Sequence, residues 1–277
     1  MISGTTTLIA HIGYPTFTFK APLIYNPYFE HAGIDAVVMP MGCEAPNFPA
    51  FLRAVFTLTN IGGALITMPH KVSVVDLLDD VSPAVRVAGA CNAVRRAPDG
   101  RLQGDMFDGE GFVRGLARKG CRLAGARALV VGSGGVGCAI AASLAGAGVA
   151  ALALYDVRPA AAEALAGRLR QYYPQIAVAT GSNDPAGFDI VVNGTPMGMH
   201  AGDPLPVDVD RIDRDAWVGE VVMKQEMTAF LEAAKARGCR FQVGTDMLFE
   251  QIPAYLEFFG FPSTTPDVLR AHARIAY

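Results

Sequence analysis

The chain has 277 residues, 51% hydrophobic and 18% charged, with 23 Lys and Arg against 26 Asp and Glu for a net charge of −3. This composition suits one or two globular domains with covered cores and excludes disorder, collagen and coiled coil. The slightly acidic balance, with no basic run longer than Arg95-Arg96, argues against a nucleic-acid partner, because neutralising phosphates takes clustered cations. The 5 cysteines, Cys43, Cys91, Cys121, Cys138 and Cys239, are scattered and form no C-x-x-C, which fits neither a disulfide framework nor a metal site. They suit a reducing, cytoplasmic setting. No basic n-region precedes an apolar stretch at the N-terminus, so no signal peptide is expected.

In chain order, strands are predicted at Thr7–Ile12, Ala36–Met39 and Gly63–Thr67. Helices are predicted from Pro22 through Phe29, over Asn47–Phe56, where Phe48, Phe51, Leu52 and Val55 share a face, and over His70–Leu78. Ala90–Ala97 and Arg101–Gly104 flank Pro98-Asp99-Gly100, a hairpin signal. A helix over Asp108–Leu116 then leaves this first unit. Strand signals follow at Ala128–Val131, Ala151–Tyr155, Ile176–Ala179, Asp189–Val192 and Val218–Val222, with helices between most of them. The helical end of the chain carries one strand near Phe241–Val243. Ala128–Tyr155 lacks any charge and is long enough to span a bilayer, yet it parses into strand, glycine cluster, small-residue helix and strand. A buried βαβ unit, with no membrane partner, is therefore expected. The leucines and tyrosine of Leu165, Leu169 and Tyr172 make a helix core face.

Gly132-Ser133-Gly134-Gly135-Val136-Gly137 opens the helix of that unit and satisfies G-x-G-x-x-G. The first glycine permits the tight turn, the second lets backbone approach a pyrophosphate, and the third lets helix and strand pack closely. Asp156 follows Gly137 at the end of the next strand, where an acid accepts ribose hydroxyls and repels a 2′-phosphate. That favours NAD over NADP, with Arg158 partly offsetting it. The alternative for Asp156 is a plain N-cap of the helix starting near Pro159.

Further motifs lie in "TMPHK" (67–71), "GACNAV" (89–94), "GDMFDGEGF" (104–112), "NGTPMGM" (193–199) and "GTDMLFEQ" (244–251). In this order they are similar to T-x-P-x-K, G-A-x-N-T-x, G-D-N-T-D-G-x-G-F, N-A-T-x-x-G-M and G-x-x-M-L-x-x-Q of the shikimate/quinate dehydrogenases, a resemblance running over essentially the whole chain. It implies Lys71 as the catalytic lysine and Asp108 as its aspartate partner. It implies Thr67, Asn92 and Gln251 as substrate contacts, with the dinucleotide held by Gly132, Gly134, Gly135, Val136, Gly137 and Asp156, and the nicotinamide beside Asn193, Thr195, Pro196 and Met197. No metal is needed. The chemistry agrees: oxidising a secondary alcohol releases a hydride to the cofactor and a proton to a base within hydrogen-bond reach, a task open to a lysine amine.

The chain departs from that pattern at the first glycine loop, normally G-x-P-x-x-H-S-x-S-P. Here it reads Gly13-Tyr14-Pro15-Thr16-Phe17-Thr18-Phe19-Lys20-Ala21-Pro22, so the two serines that hold a substrate carboxylate are Phe19 and Ala21. Thr18 and Phe19 therefore count as candidate substrate contacts, with Thr16 or Lys20 as further replacements. Met106-Phe107 and Met223 likewise replace polar residues of the family. His70 is expected to be structural or exposed, with substrate binding as the alternative; His11 is expected to be a satisfied core or rim residue, and Trp217 to pack near its strand.

The expected architecture is α/β with two domains: an N-terminal α/β substrate domain (1–105 and 243–277) and a Rossmann NAD-binding domain (106–242), with C-terminal helices packing back on the first. The expected function is reversible hydride transfer between a secondary alcohol of a cyclic polyol acid, or a less polar relative, and NAD. The alternative is a non-catalytic or weakly active dinucleotide-binding sensor or partner protein on the same fold. The expected partner is a small-molecule substrate, with a homodimer left open.

Overall fold

The computed structural model describes residues 2–275, and the chain divides into two compact units. Of the described residues, the first takes 2–86, Ala90–Phe107 and 251–275; the second takes Val87–Gly89 and Asp108–Glu250. Met106 and Phe107 thus belong to the first unit, and Gly244–Glu250 to the second.

The first unit opens with β1 (Thr7–Gly13), α1 (Pro22–Ala32), β2 (Ala36–Gly42), α2 (Phe48–Val55) and β3 (Ile61–Ile66). Then come β4 (Asp80–Val81), α3 (Pro83–Ala88), β5 (Ala93–Arg96) and β6 (Leu102–Asp105). Its sheet has the order β2-β1-β3-β5-β6-β4; β1 runs parallel to β2 and β3, and β5 is antiparallel to both its neighbours. The β5–β6 hairpin turns where Pro98-Asp99-Gly100 predicts it, with Ala97 N–H donating to Arg101 O at 2.8 Å. Ile9, Ile12, Ile24, Phe29, Leu52 and Ile66 form the core.

The second unit contains α4 (Asp108–Arg118), β7 (Arg127–Val131), α5 (Gly135–Gly146), β8 (Ala151–Tyr155), α6 (Pro159–Tyr172), β9 (Ala177–Thr180), β10 (Ile190–Asn193), β11 (Trp217–Glu220), α7 (Ala229–Arg237) and β12 (Arg240–Gln242). Its all-parallel sheet has the order β9-β8-β7-β10-β11-β12. Numbered within the unit this is 3-2-1-4-5-6, the doubly wound dinucleotide-binding order, with its reversal between β7 and β10. The uncharged stretch resolves into β7, α5 and β8, buried because parallel strands are covered on both faces. No helix among the described residues is long and apolar enough to cross a membrane.

The chain ends with α8 (Gly244–Phe258), which passes from the second unit into the first, and α9 (Pro266–His272). Arg274 N–H donates to Leu23 O of α1 at 2.8 Å, tying the C-terminal segment to the first unit.

One predicted helix does not form. Instead of a helix over His70–Leu78 there is a single turn followed by a 3-10 turn at Val75–Leu77. The Lys71 carbonyl, which a helix would offer to Val75, accepts Cys91 N–H at 2.7 Å, and Val75 N–H turns back to Val72 O at 3.2 Å. Three valines in the segment add the χ1 cost of β-branching.

Candidate active site

In the first unit the chain leaves β3 through Thr67, whose N–H donates to Ile12 O at 2.9 Å, and reaches Lys71 one turn later. His70 fixes that turn. Its Nε2 lies 2.7 Å from Cys43 O and its ring stacks flat on Phe48 at 3.9 Å, so burial pushes its pKa below the usual imidazole value. His70 is thus buried and holds the turn. The bond from Cys91 N–H to Lys71 O sets the lysine backbone beside the segment carrying Asn92.

Asn92 is fully buried. Its Oδ1 accepts Phe107 N–H at 3.0 Å and its carbonyl accepts Tyr255 O–H at 3.4 Å, while its Nδ2 has no partner. Gln251, at the start of the first unit's share of α8, is buried with Oε1 unpartnered. Thr18 is exposed and donates its hydroxyl to Pro15 O at 3.0 Å. Phe19 lies 4.0 Å from His11, centroid to centroid, with 28° between the ring planes. His11 differs from the expectation of a satisfied residue: it is 7% exposed and its Nδ1 has no partner, with the Phe19 ring stacked over the imidazole. Lys71, Thr67, Asn92, Gln251, Thr18 and Phe19 all fall in the first unit.

Asp108 falls in the second unit as the first residue of α4, buried at 3% exposure. Gly109 beside it permits α4 to cross α5 closely; a Cβ there would strike the Ala139 carbonyl.

The glycine loop joins β7 to α5 at the reversal of strand order. Gly132 has φ +101°, a left-handed conformation that requires glycine, and a Cβ at Gly137 would collide with the Gly132 carbonyl. Gly134 caps α5 without a side-chain bond and has open space where a Cβ would stand. Gly135 and Val136 follow as the first helical residues, both half-buried. The Ser133 hydroxyl is buried and unpartnered. Uncapped N–H groups, an orphaned hydroxyl and free space at Gly134 fit a dinucleotide pyrophosphate. Asp156 accepts Ser133 N–H at 2.7 Å and Arg158 N–H at 2.9 Å, and these bonds with the Arg158 charge outweigh burial to lower its pKa. The N-cap of α6 is Arg158, so Asp156 is not its plain cap.

The loop after β10 is knotted on Asn193, whose Oδ1 accepts Thr195 N–H at 3.1 Å and Oγ1–H at 2.6 Å, and whose Nδ2 donates to Met197 O at 3.0 Å. Pro196 is the exposed tip. A Cβ at Gly132 would strike Gly194 and Thr195, so this loop and the glycine loop touch. Beside Asn193 in register stands Glu220, missed by the sequence analysis. It is fully buried, neither carboxyl oxygen makes a well-aligned hydrogen bond, and burial pushes its pKa up to about 7, against smaller opposing effects of Thr228 and Asn193.

Known proteins resemble this chain over most of its length. Residues 12–94 match the family model of the shikimate dehydrogenase substrate binding domain. The shikimate dehydrogenase (NADP(+)) of Rubrobacter xylanophilus is 34% identical over 254 residues, 90% of this chain and 89% of that protein. The chain belongs to the shikimate dehydrogenase family. Quinate dehydrogenase from Corynebacterium glutamicum, solved in complex with NAD, is similar with a TM-score of 0.86 and 30% identity over 96% of this chain and 98% of that one. The ligand-free 5-ketofructose reductase of a Gluconobacter strain is similar with a TM-score of 0.87 and 26% identity over 98% of each chain.

Proposed function

We propose that the chain is a pyridine-nucleotide-dependent oxidoreductase that interconverts a secondary alcohol of a polyol with its ketone, and that it prefers NAD. The observation that carries this reading is a set of orphaned buried polar atoms, Asn92 Nδ2, Gln251 Oε1 and Ser133 Oγ, at positions where the family resemblance places substrate and dinucleotide. Buried polar groups without partners cost stability, and a ligand that satisfies them recovers it.

The nicotinamide, when bound, accepts or returns the hydride. Lys71 takes the hydroxyl proton in oxidation and returns it in reduction, and Asp108 serves as its carboxylate partner. Thr67, Asn92 and Gln251 orient the ring hydroxyls. Gly132, Gly134, Gly135, Val136 and Gly137 receive the pyrophosphate, and Asn193, Thr195, Pro196 and Met197 line the nicotinamide side. Asp156 supports NAD, because its oxygens retain lone pairs for ribose hydroxyls and its charge opposes a 2′-phosphate. The relatives' names span ring acids and a ketose, so a polyol is the shared substrate class.

Calorimetric titration of NAD and NADP tests the cofactor. NAD is expected to bind more tightly and Asp156→Ala to narrow the gap; equal or tighter NADP binding by the unaltered protein refutes the preference. A panel of polyols with NAD, followed by absorbance of the reduced cofactor, tests the reaction. The replacement of two serines by Phe19 and Ala21 favours a second reading, a dinucleotide-binding sensor with little turnover, and that reading requires every alcohol in the panel to fail.

A further inference from the structure

The first unit carries a feature that hydride transfer alone does not use. In the β1–β3 register His11 stands beside Leu65, and Thr67 N–H follows on Ile12 O, so His11, Gly13 and Thr67 share one face of the sheet. A Cβ at Gly13 would strike Thr67 and come within 3.1 Å of Phe19 Cζ, which seats the Phe19 ring over the same face. Ile9 pairs with Gly63, and a Cβ at Gly63 would run into Phe259, next to α8. The residue following α8 therefore packs on this face too, and Tyr255 of α8 donates to the Asn92 carbonyl. The orphaned Nδ1 of His11 thus lies on the face that carries Thr67, under the Phe19 ring and near enough to Lys71 to feel its charge. An apolar residue at this strand position would avoid the cost of that unpaired nitrogen.

We propose that His11 and Phe19 set the substrate specificity of the site, admitting a polyol that presents an uncharged hydroxyl or carbonyl to the imidazole and disfavouring one that presents a carboxylate. This rests on the reading of the first unit as the substrate unit. Phe19 and Ala21 bring no donor. Burial, with the Lys71 charge as the smaller cause, holds the imidazole pKa down to about 3, so it is neutral and offers one donor and one acceptor. A hydroxyl satisfies either tautomer. A carboxylate in a buried site calls for charge-assisted or multiple donors, and Lys71 is occupied with the reacting hydroxyl.

The test is steady-state kinetics with NAD and NADP on shikimate and quinate against uncharged cyclitols and ketoses. The proteins are the unaltered chain, His11→Val, His11→Gln, and Phe19→Ser with Ala21→Ser. The unaltered protein is expected to favour the best uncharged substrate by about tenfold or more in kcat/KM, the scale of one or two well-made hydrogen bonds. His11→Val is expected to raise KM for that substrate about tenfold, more than it lowers kcat, with His11→Gln recovering part of the loss. The double serine variant is expected to improve the acids. NAD binding by calorimetry, a property of the second unit, checks that each variant is folded. Should His11→Val fail to fold, the imidazole nitrogen resonances of the unaltered protein decide: an uncharged polyol is expected to shift the His11 Nδ1 signal without protonating the ring. Efficient turnover of the acids, or a His11→Val ratio equal to that of the unaltered protein, overturns the proposal while leaving the oxidoreductase reading intact. Failure of every alcohol overturns both.

Discussion

Lys71 owes its position to bonds made by its neighbours. Its carbonyl is held by Cys91 N–H, and the preceding histidine is clamped by the Cys43 carbonyl and the Phe48 ring. A residue presented this way can be truncated without disturbing the turn. Lys71→Ala is therefore expected to cut kcat on the best polyol by about 10²–10⁴, the usual cost of losing a general acid–base group, with NAD affinity near normal. Stopped-flow or steady-state rates check the first, calorimetry the second; an unchanged kcat means another group moves the proton. His70→Ala acts differently. It removes a buried stack and hydrogen bond, so it is expected to lower stability by about 2–4 kcal/mol in denaturant titrations and to lower activity through a displaced Lys71.

At the scale of elements, legibility followed locality. The β7–α5–β8 unit was readable because its apolar runs and glycines act on their immediate neighbours, and Gly132 does take the left-handed turn that the motif requires. The segment over 70–78 was not readable as a turn, because the bond that ends helical pairing comes from Cys91, outside any local window. His11 reads from sequence as a satisfied strand residue; its orphaned nitrogen follows from the Phe19 ring seated over β1. Glu220 carries no motif, and only its register beside Asn193 and its complete burial mark it. The glycine loop yields a test of its own. In Gly137→Ala the new methyl meets the Gly132 carbonyl, which cannot retreat without opening the β7–α5 turn. NAD binding is expected to weaken at least about tenfold, because backbone N–H groups displaced by even 1 Å lose the anion geometry. Unchanged affinity by calorimetry would mean that the turn carries no pyrophosphate.

At the scale of the whole molecule, two of the buried groups that titrate out of step with the unfolded chain, His11 and Glu220, act in opposite directions. His11 is held neutral down to about pH 3 in the fold but protonates near its ordinary value of 6.5 when unfolded. The unfolded chain thus binds the extra proton between those limits, and stability rises with pH across that window. Glu220 is the reverse case. Its folded pKa of about 7 exceeds the ordinary 4.5, so the native state binds the extra proton and stability falls as pH rises from about 4.5 to about 7. Between roughly pH 4.5 and 6.5 the two slopes oppose, which predicts a shallow maximum there for their joint contribution. Above that range Glu220 alone dominates the pair. Each unit of pKa displacement corresponds to about 1.36 kcal/mol, so full ionisation of Glu220 costs on the order of 3–4 kcal/mol. Glu220→Gln keeps the shape and removes the charge. Urea unfolding at a series of pH values is expected to show the variant gaining on the parent from about pH 4.5 to about pH 7 and by a constant amount above. If the difference is flat with pH, Glu220 is already ionised in the fold at pH 5, and the Asn193 and Thr228 side chains compensate its charge far better than their geometry indicates.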